Sequence, residues 1–238
     1  MNSLLNTLYK YTSINKLINK LINIKNESTL NKFIKTIILF FIVFMIGILI
    51  YVYNKYYFDF DGVYEENIFS PEKFNKIKNL CEKIHDSSMT LDPKASGRMM
   101  YTLKPDDPLV KLVNTPDFTQ KVRDLTGNPN LAYCPQIPME YRKYVVGSYM
   151  DWHKDTIMLN DQLQYECVIT ITNTSDSKTL MDKSLYTSSI ETQPNSLLIV
   201  RAQGVKHKVT KLTQGERTII KLVFCEPSNN TNNAIYQK

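Results

Sequence analysis

Residues 196–224 read SLLIVRAQGVKHKVTKLTQGERTIIKLVF. Two apolar runs rich in Val, Ile and Leu, 196–201 and 217–225, flank a polar middle broken by Gly204 and by Gln214-Gly215. Short runs of that kind, bounded by turn residues, predict two strands. Further toward the N-terminus, 165–172 and 139–146 show the same habit, set apart by Gly147, by Asn173 to Ser177 and by Pro194-Asn195. Many short strands at this spacing predict a mainly β domain, a sandwich or barrel with jelly rolls included. The chain has no βαβ alternation, no Gly-rich loop to cradle phosphate and no G-x-S-x-G elbow.

Upstream of the strands the pattern is helical. Ser70-Pro71 supplies an N-cap and a first-turn proline, and Phe74, Ile77, Cys81 and Ile84 then form one apolar face. His85 falls at the end of that face, where a cation suits a helix C-terminus. Thr115-Pro116 opens a second helix carrying Phe118, Val122 and Leu125, and Gly127 stops it. These helices are expected to buttress the sheet. The four cysteines (Cys81, Cys134, Cys167, Cys225) show no C-x-x-C spacing, which argues against a zinc ribbon. Cys167 and Cys225 lie inside strand-like runs and read as buried thiols. Disulfides are compatible with an oxidising compartment, but their connectivity is not legible from the spacing.

Three histidines are present, and two fall in one arrangement. In Trp152-His153-Lys154-Asp155, residues two apart on a strand project to one face, so His153 and Asp155 can bind one ion together. Lys206-His207-Lys208 follows 52 residues after Asp155, just past a predicted strand. His207 would complete two imidazoles and one carboxylate, the facial triad suited to non-haem Fe(II), which leaves three coordination positions open. Arg217 lies ten residues after His207, past the turn Thr213-Gln214-Gly215, at the start of the last strand. A guanidinium there can pair a carboxylate in bidentate geometry. Trp152 has the opposite parity and reads as a rim or packing residue. Lys221 shares the strand face of Arg217; a second inward cation suggests a bulge or an altered pocket.

H-x-D, about fifty residues, H, then ten residues to a basic residue resembles the 2-oxoglutarate and Fe(II)-dependent dioxygenase superfamily. The stretch from Tyr144 through Gly147 to His153 and Asp155 resembles its collagen-type prolyl 4-hydroxylase branch, and 196–224 resembles the family's closing strands. The likeness covers about residues 139–226. It implies a double-stranded β-helix, or jelly roll. It implies iron held by His153, Asp155 and His207, and 2-oxoglutarate held by Arg217 with Tyr144. It further implies O2 as oxidant, ascorbate dependence, and hydroxylation of a protein or peptide substrate at proline, with 2-oxoglutarate converted to succinate. One departure stands out. Residues 173–194, which would wall the substrate site, contain no glycine where the branch often has a pair. Lysine, a lipid or a small molecule therefore stand as alternative targets, and a non-catalytic binding protein that retains the fold stands as an alternative of another class.

The net charge of +6 resides entirely in residues 1–55, which hold seven lysines and one acid. Subtracting them from 29 bases and 23 acids leaves 22 of each, a neutral remainder without a footprint for nucleic acid. Residues 37–53, IILFFIVFMIGILIYVY, carry no charge and span about 26 Å as a helix, close to a thin bilayer. A cleaved signal peptide fits poorly, because 36 residues precede the run and no small-residue site follows it. A buried core helix would ordinarily carry a polar face. Six lysines precede the run and acids follow it, so the positive-inside rule predicts a type II anchor with the large domain luminal or extracellular. Asn173-Thr174-Ser175 and Asn229-Asn230-Thr231 match the glycosylation pattern and would face that side. Leu4, Leu5, Leu8, Tyr11, Ile14, Ile18, Leu21 and Ile22 recur at near-helical spacing, either as a surface amphipathic helix or as a frayed tail. The expected organisation is a cytosolic basic tail (1–35), a transmembrane signal-anchor in the bilayer (36–55), a helical support region (56–130), the β-helix core (131–227) and a polar tail (228–238). Oligomeric state is not legible.

Overall fold

The computed structural model describes residue 16 and residues 29–57, 62–159, 163–183 and 186–227. Apart from Lys16, the patterned segment at 4–22 lies outside the described residues, as does the polar tail 228–238. The chain divides into two compact units, Met1–Phe58 and Asp59–Lys238.

In the first unit, helix α1 runs Thr29–Tyr57. Its stretch Asn31–Val52 is 22 residues, long and apolar enough to cross a membrane, and none of it is buried within the structure. At 1.5 Å per residue that is about 33 Å. Phe40, Phe41 and Leu49 are exposed. The helix begins earlier than the apolar run because Lys32 and Lys35 are good helix formers.

In the second unit, α2 (Pro71–Cys81) and α4 (Pro116–Thr126) start where the sequence predicts, and α4 stops at Gly127 as expected, but α2 ends at Cys81, short of the expected face through Ile84. Ser70 Oγ accepts from Lys73 N, and Gly127 closes α4 in the left-handed region at φ 67°. His85 is corrected: it lies beyond the end of α2, exposed, before a 3-10 turn at Asp86–Ser88. A third helix, α3 (Pro108–Val113), is capped by Asp107, whose carboxylate accepts from Leu109 N.

The strands form two antiparallel sheets, in the manner of a jelly roll. The large sheet has the order β1 (Val63–Glu66), β10 (Ser196–Arg201), β7 (Gln164–Asn173), β12 (Arg217–Cys225), β5 (Glu140–Tyr144), β3 (Met99–Thr102), β2 (Thr90–Leu91). β4 (Ala132–Tyr133) pairs with the end of β12 beyond β5. The small sheet has the order β6 (Met150–His153), β11 (Lys206–Val209), β8 (Thr179–Asp182), β9 (Thr187–Ile190). The support region is thus not helical alone, since β1, β2 and β3 rise from it and extend both flanks of the large sheet.

β12 is buried throughout, and its alternation sorts the layers. Ile220, Leu222 and Phe224 join Ile77, Val113, Phe118 and Val122 in the main core under the helices. Ile219 points the other way, with Tyr144, Val209 and Leu212, toward the small sheet. The inward face of β12 therefore lines the space between the sheets, and Arg217 and Lys221 lie on it. Cys225 is also corrected: it is no free thiol but pairs with Cys134, Cα to Cα 5.7 Å, beside Val223 and Leu159. Cys81 and Cys167 are buried free thiols, and burial pushes Cys81 up to about 12.

Candidate active site

His153 and His207 face each other across the small sheet, as direct partners in the antiparallel β6–β11 pairing. His207 lies within β11 rather than after a strand as expected, because the loop following β10 turns back to form one more short strand. Asp155 lies two residues past the end of β6, so the H-x-D pair straddles a strand end rather than sharing a strand. Its backbone is nonetheless fixed: Gln203 N donates to Asp155 O at 2.9 Å, and Gly204 N closes the same loop onto Arg201 O.

The three groups converge. Asp155 Oδ1 is 3.7 Å from His153 Nε2, and Asp155 Oδ2 is 3.5 Å from His207 Nε2. The three prospective ligand atoms lie within 4.8 Å of one another, close enough to hold one metal ion. The tautomers are fixed by neighbours. His153 Nδ1 lies 2.7 Å from Asp151 O, and His207 Nδ1 3.1 Å from Val205 O. A carbonyl only accepts, so each Nδ1 carries the hydrogen and each Nε2 presents a lone pair toward Asp155. Burial holds both imidazoles below their ordinary pKa, keeping them neutral as ligands. Burial, reinforced by the neighbouring Glu166 carboxylate, pushes Asp155 up to about 7. A divalent cation would relieve that cost.

Glu166 was not legible as a site residue. It rises from β7, hydrogen-bonds toward Asp155, and pairs with Lys221 Nζ at 2.8 Å. Lys221 therefore does point inward, as its parity predicts, and its charge is matched by a buried carboxylate. The strand irregularity sits instead at Thr218/Ile219, where β7 slips against β12 and Ile171 is the extra residue. Trp152 lies on the face away from the histidines, under Lys208 Nζ at 5.1 Å, and packs rather than reacts.

Arg217 begins β12 beyond a pinned turn. Asp176 accepts from Thr213 N and Gln214 N. Gly215 sits at φ 68°, and a Cβ there would collide with the Thr174 carbonyl. The guanidinium is 2% exposed, and Nη1 reaches Thr179 Oγ1 of the small sheet at 3.3 Å. Thr179 is two residues from Met181, the register partner of His207, which is about 7 Å along the strand. Arg217 Nε has no partner, and no carboxylate among the described residues pairs with the group. Tyr144 is the register partner of Arg217 on β5, and its ring centre lies 5.7 Å from the guanidinium. Behind it stands a network absent from the sequence reading. Arg98 Nη1 donates to Tyr144 Oη at 2.5 Å, and Arg98 Nε donates to Asp92 at 2.8 Å.

Asn173, expected as a glycosylation acceptor, is a turn residue whose side chain is engaged within the structure. Its amide donates to Thr192 O, and its Oδ1 accepts from Ser175 N and Oγ. The second acceptor, Asn229, lies outside the described residues.

No family model matches the chain, and no curated protein matches it. Solved structures do. A 2OG-Fe(II) oxygenase family oxidoreductase from Burkholderia pseudomallei superposes with TM-score 0.59 at 11% identity, covering 76% of this chain and 93% of that one. HygX from Streptomyces hygroscopicus, solved with nickel, 2-oxoglutarate and hygromycin B, gives 0.54 at 13% identity over 76% and 87%. A prolyl hydroxylase from Trichoplax adhaerens, in complex with a hypoxia inducible factor peptide fragment, gives 0.56 at 10% identity over 74% and 86%. At these identities the likeness is one of fold. The second unit of this chain has the fold of the 2OG-Fe(II) oxygenases, prolyl hydroxylases among them.

Proposed function

We propose that this chain is a membrane-anchored Fe(II)- and 2-oxoglutarate-dependent oxygenase that hydroxylates a C–H bond, with peptidyl proline as the target. The observation that carries the reading is Arg217, a fully buried guanidinium with an unpartnered Nε and no carboxylate opposite it. Such a group is costly unless an anion completes it. Through Thr179 it meets β8 two residues from Met181, the register partner of His207. His153, Asp155 and His207 would hold the iron, which when bound supplies the activation of O2. Arg217 would clamp the far carboxylate of 2-oxoglutarate in bidentate geometry, and Tyr144 would border it. The neutral imidazoles keep their Nε2 lone pairs for the metal, and the apolar layer of Val209, Leu212 and Ile219 excludes water. Per turnover, O2 places one oxygen atom in the substrate hydroxyl and one in succinate, with CO2 released; ascorbate serves as the auxiliary reductant, on the family resemblance.

A peptide target rests on the resemblance around Tyr144 and on the Trichoplax relative, whose structure holds a peptide. HygX holds a small molecule in a related fold, so a small-molecule target is the second reading. The proposed placement is type II, with the oxygenase unit luminal or extracellular. Helix α1, the lysines before it and the Cys134–Cys225 pair, which belongs in an oxidising compartment, support this. Protease protection of sealed vesicles tests the orientation.

The decisive assay is succinate release by the full chain in detergent with Fe(II), 2-oxoglutarate and ascorbate, beside His207→Ala and with a panel of proline-rich peptides and small molecules. Succinate from the wild type alone establishes the chemistry, and mass analysis of the products identifies the target. Absence of both succinate and bound iron refutes the proposal.

A further inference from the structure

Tyr144 Oη is held as an acceptor. Arg98 Nη1 carries hydrogens and no lone pair, so the 2.5 Å contact has one possible direction, Arg98 to the phenol oxygen. The phenol keeps its own hydrogen, and no acceptor for it exists among the described residues although Tyr144 is 2% exposed. A second donor nearby, Arg217 Nε, is unpartnered too, and its guanidinium lies over the Tyr144 ring. Two unsatisfied buried donors from β5 and β12 thus share one locality, where an acceptor-only ligand would meet both.

Arg98 is itself immobilised. Its side chain is 1% exposed, its Nε donates to Asp92 Oδ2, and its Nη2 lies in ion-pair contact with the same oxygen without hydrogen-bond geometry. Asp92 is fixed in turn by Lys94 N at 2.8 Å and by Arg142 Nε at 3.7 Å, and Arg142 engages Glu140. Across this connected group, Arg98, Arg142 and Arg217 are three cations, and Asp92 and Glu140 are two anions. One positive charge is left over, on the side where the two donors are unsatisfied.

We infer that Arg98 is a positioning residue for the cosubstrate: by donating to Tyr144 Oη it turns the phenol hydrogen onto the carboxylate that Arg217 holds. Tyr144 then acts as a directed donor rather than as wall. The inference deepens the proposed function and rests on 2-oxoglutarate binding at Arg217. It assigns a role to a side chain that lies outside the H-x-D…H…R pattern and on no predicted strand.

The test is calorimetric titration of 2-oxoglutarate, without O2, into the full chain in detergent loaded with Mn(II). Four proteins are compared: wild type, Arg98→Met, Tyr144→Phe and the double variant. Arg98→Met and Tyr144→Phe are each expected to weaken 2-oxoglutarate binding about tenfold or more, the worth of a hydrogen bond to a charged group. The double variant is expected to be no weaker than the worse single one, because both changes remove the same directed bond. Mn(II) affinity, measured by titrating the metal into each metal-free protein, should stay at the wild-type value, which general damage to the fold would not allow. If Arg98→Met does not fold, Arg98→Lys replaces it; its single compact cation cannot serve Asp92 and the phenol in the same forked geometry, so the same loss is expected. Wild-type affinity in either Arg98 variant, or fully additive losses in the double variant, overturns the inference. A wild type that binds Mn(II) but no 2-oxoglutarate overturns the functional reading and this assignment with it, and that control separates the two failures.

Discussion

Replacing Lys221 by Met should cost stability in a strongly pH-dependent way. Lys221 Nζ lies 2.8 Å from Glu166 Oε1, with the two side chains 6% and 11% exposed. Burial alone would raise the Glu166 carboxyl; Lys221 overcomes this and holds it below its ordinary value of 4.5. In Lys221→Met the carboxylate faces burial and the Asp155 carboxylate with its direct partner gone, and taking up a proton limits the cost. Neutralising a carboxyl at pH 7 from its ordinary 4.5 costs about 3.4 kcal/mol, at 1.36 kcal/mol for each pH unit. That value agrees with the ~3–5 kcal/mol known for breaking buried pairs. The sign follows from a folded pKa raised above the unfolded one. The penalty is absent below the unfolded value and grows as pH rises toward the folded one, so at pH 5 it should shrink to about 0.7 kcal/mol. Urea unfolding of the metal-free protein at pH 7 and pH 5 reads this directly, with Glu166→Gln/Lys221→Met as the control that removes both charges and should recover most of the loss. A penalty below about 1 kcal/mol at pH 7, or one equally large at pH 5, would refute the reasoning, since either means that Glu166 does not depend on Lys221 for its charge.

Arg217→Met should weaken 2-oxoglutarate binding by about a hundredfold in anaerobic titrations while leaving metal affinity within a few-fold of wild type, because the guanidinium touches none of the triad. Affinity for Mn(II) should drop about tenfold for each pH unit below about 7, where Asp155 holds its proton, and level off above it; the imidazoles, held below 6.5, add no competition near neutrality. A metal affinity flat between pH 5.5 and 8 would contradict the placement of Asp155 among the ligands. Reduction of Cys134–Cys225, which spans 91 residues of sequence, should lower unfolding stability by about 2–4 kcal/mol, read as a fall in Tm on adding a phosphine reductant. An unchanged Tm in Cys225→Ser would show that the pair contributes nothing.

The large sheet was legible because its central strands are buried on both faces and three of them, β7, β10 and β12, are mostly apolar. The runs 139–146, 165–172, 196–201 and 217–225 became β5, β7, β10 and β12, each held between core layers. The small sheet was harder to read. β6, β8, β9 and β11 are four residues each, and although burial alternates along β8, β9 and β11, MDWH, TLMD, TSSI and KHKV are too short, and too often polar on the inward side, to show it in sequence. The triad was legible through chemistry rather than through strand geometry: the spacing of His153, Asp155 and His207 survived although Asp155 is past a strand end and His207 lies inside one. Arg98 and Asp92 were lost because a charged residue in a loop reads as solvated, and burial is a property of the fold. Glu166 left a trace in QYECVITIT, where one acid interrupts an apolar run and the strand can bury it only beside a partner. Asp107-Pro108 likewise spells a helix start, but the six residues of α3 are too few to show a helical period.

The position of β12 has a consequence for biogenesis. It is the last strand among the described residues, yet it lies in the interior of the large sheet, with β7 on one side and β5 and β4 on the other. Until it is synthesised, β5 and β7 are two open edges with unpaired backbone groups, and the helix-side core lacks Ile220, Leu222 and Phe224. Arg217 arrives on that same strand. The nascent domain must therefore be shielded from aggregation until its synthesis is nearly complete, and it gains Arg217 and its central pairing in a single closing event.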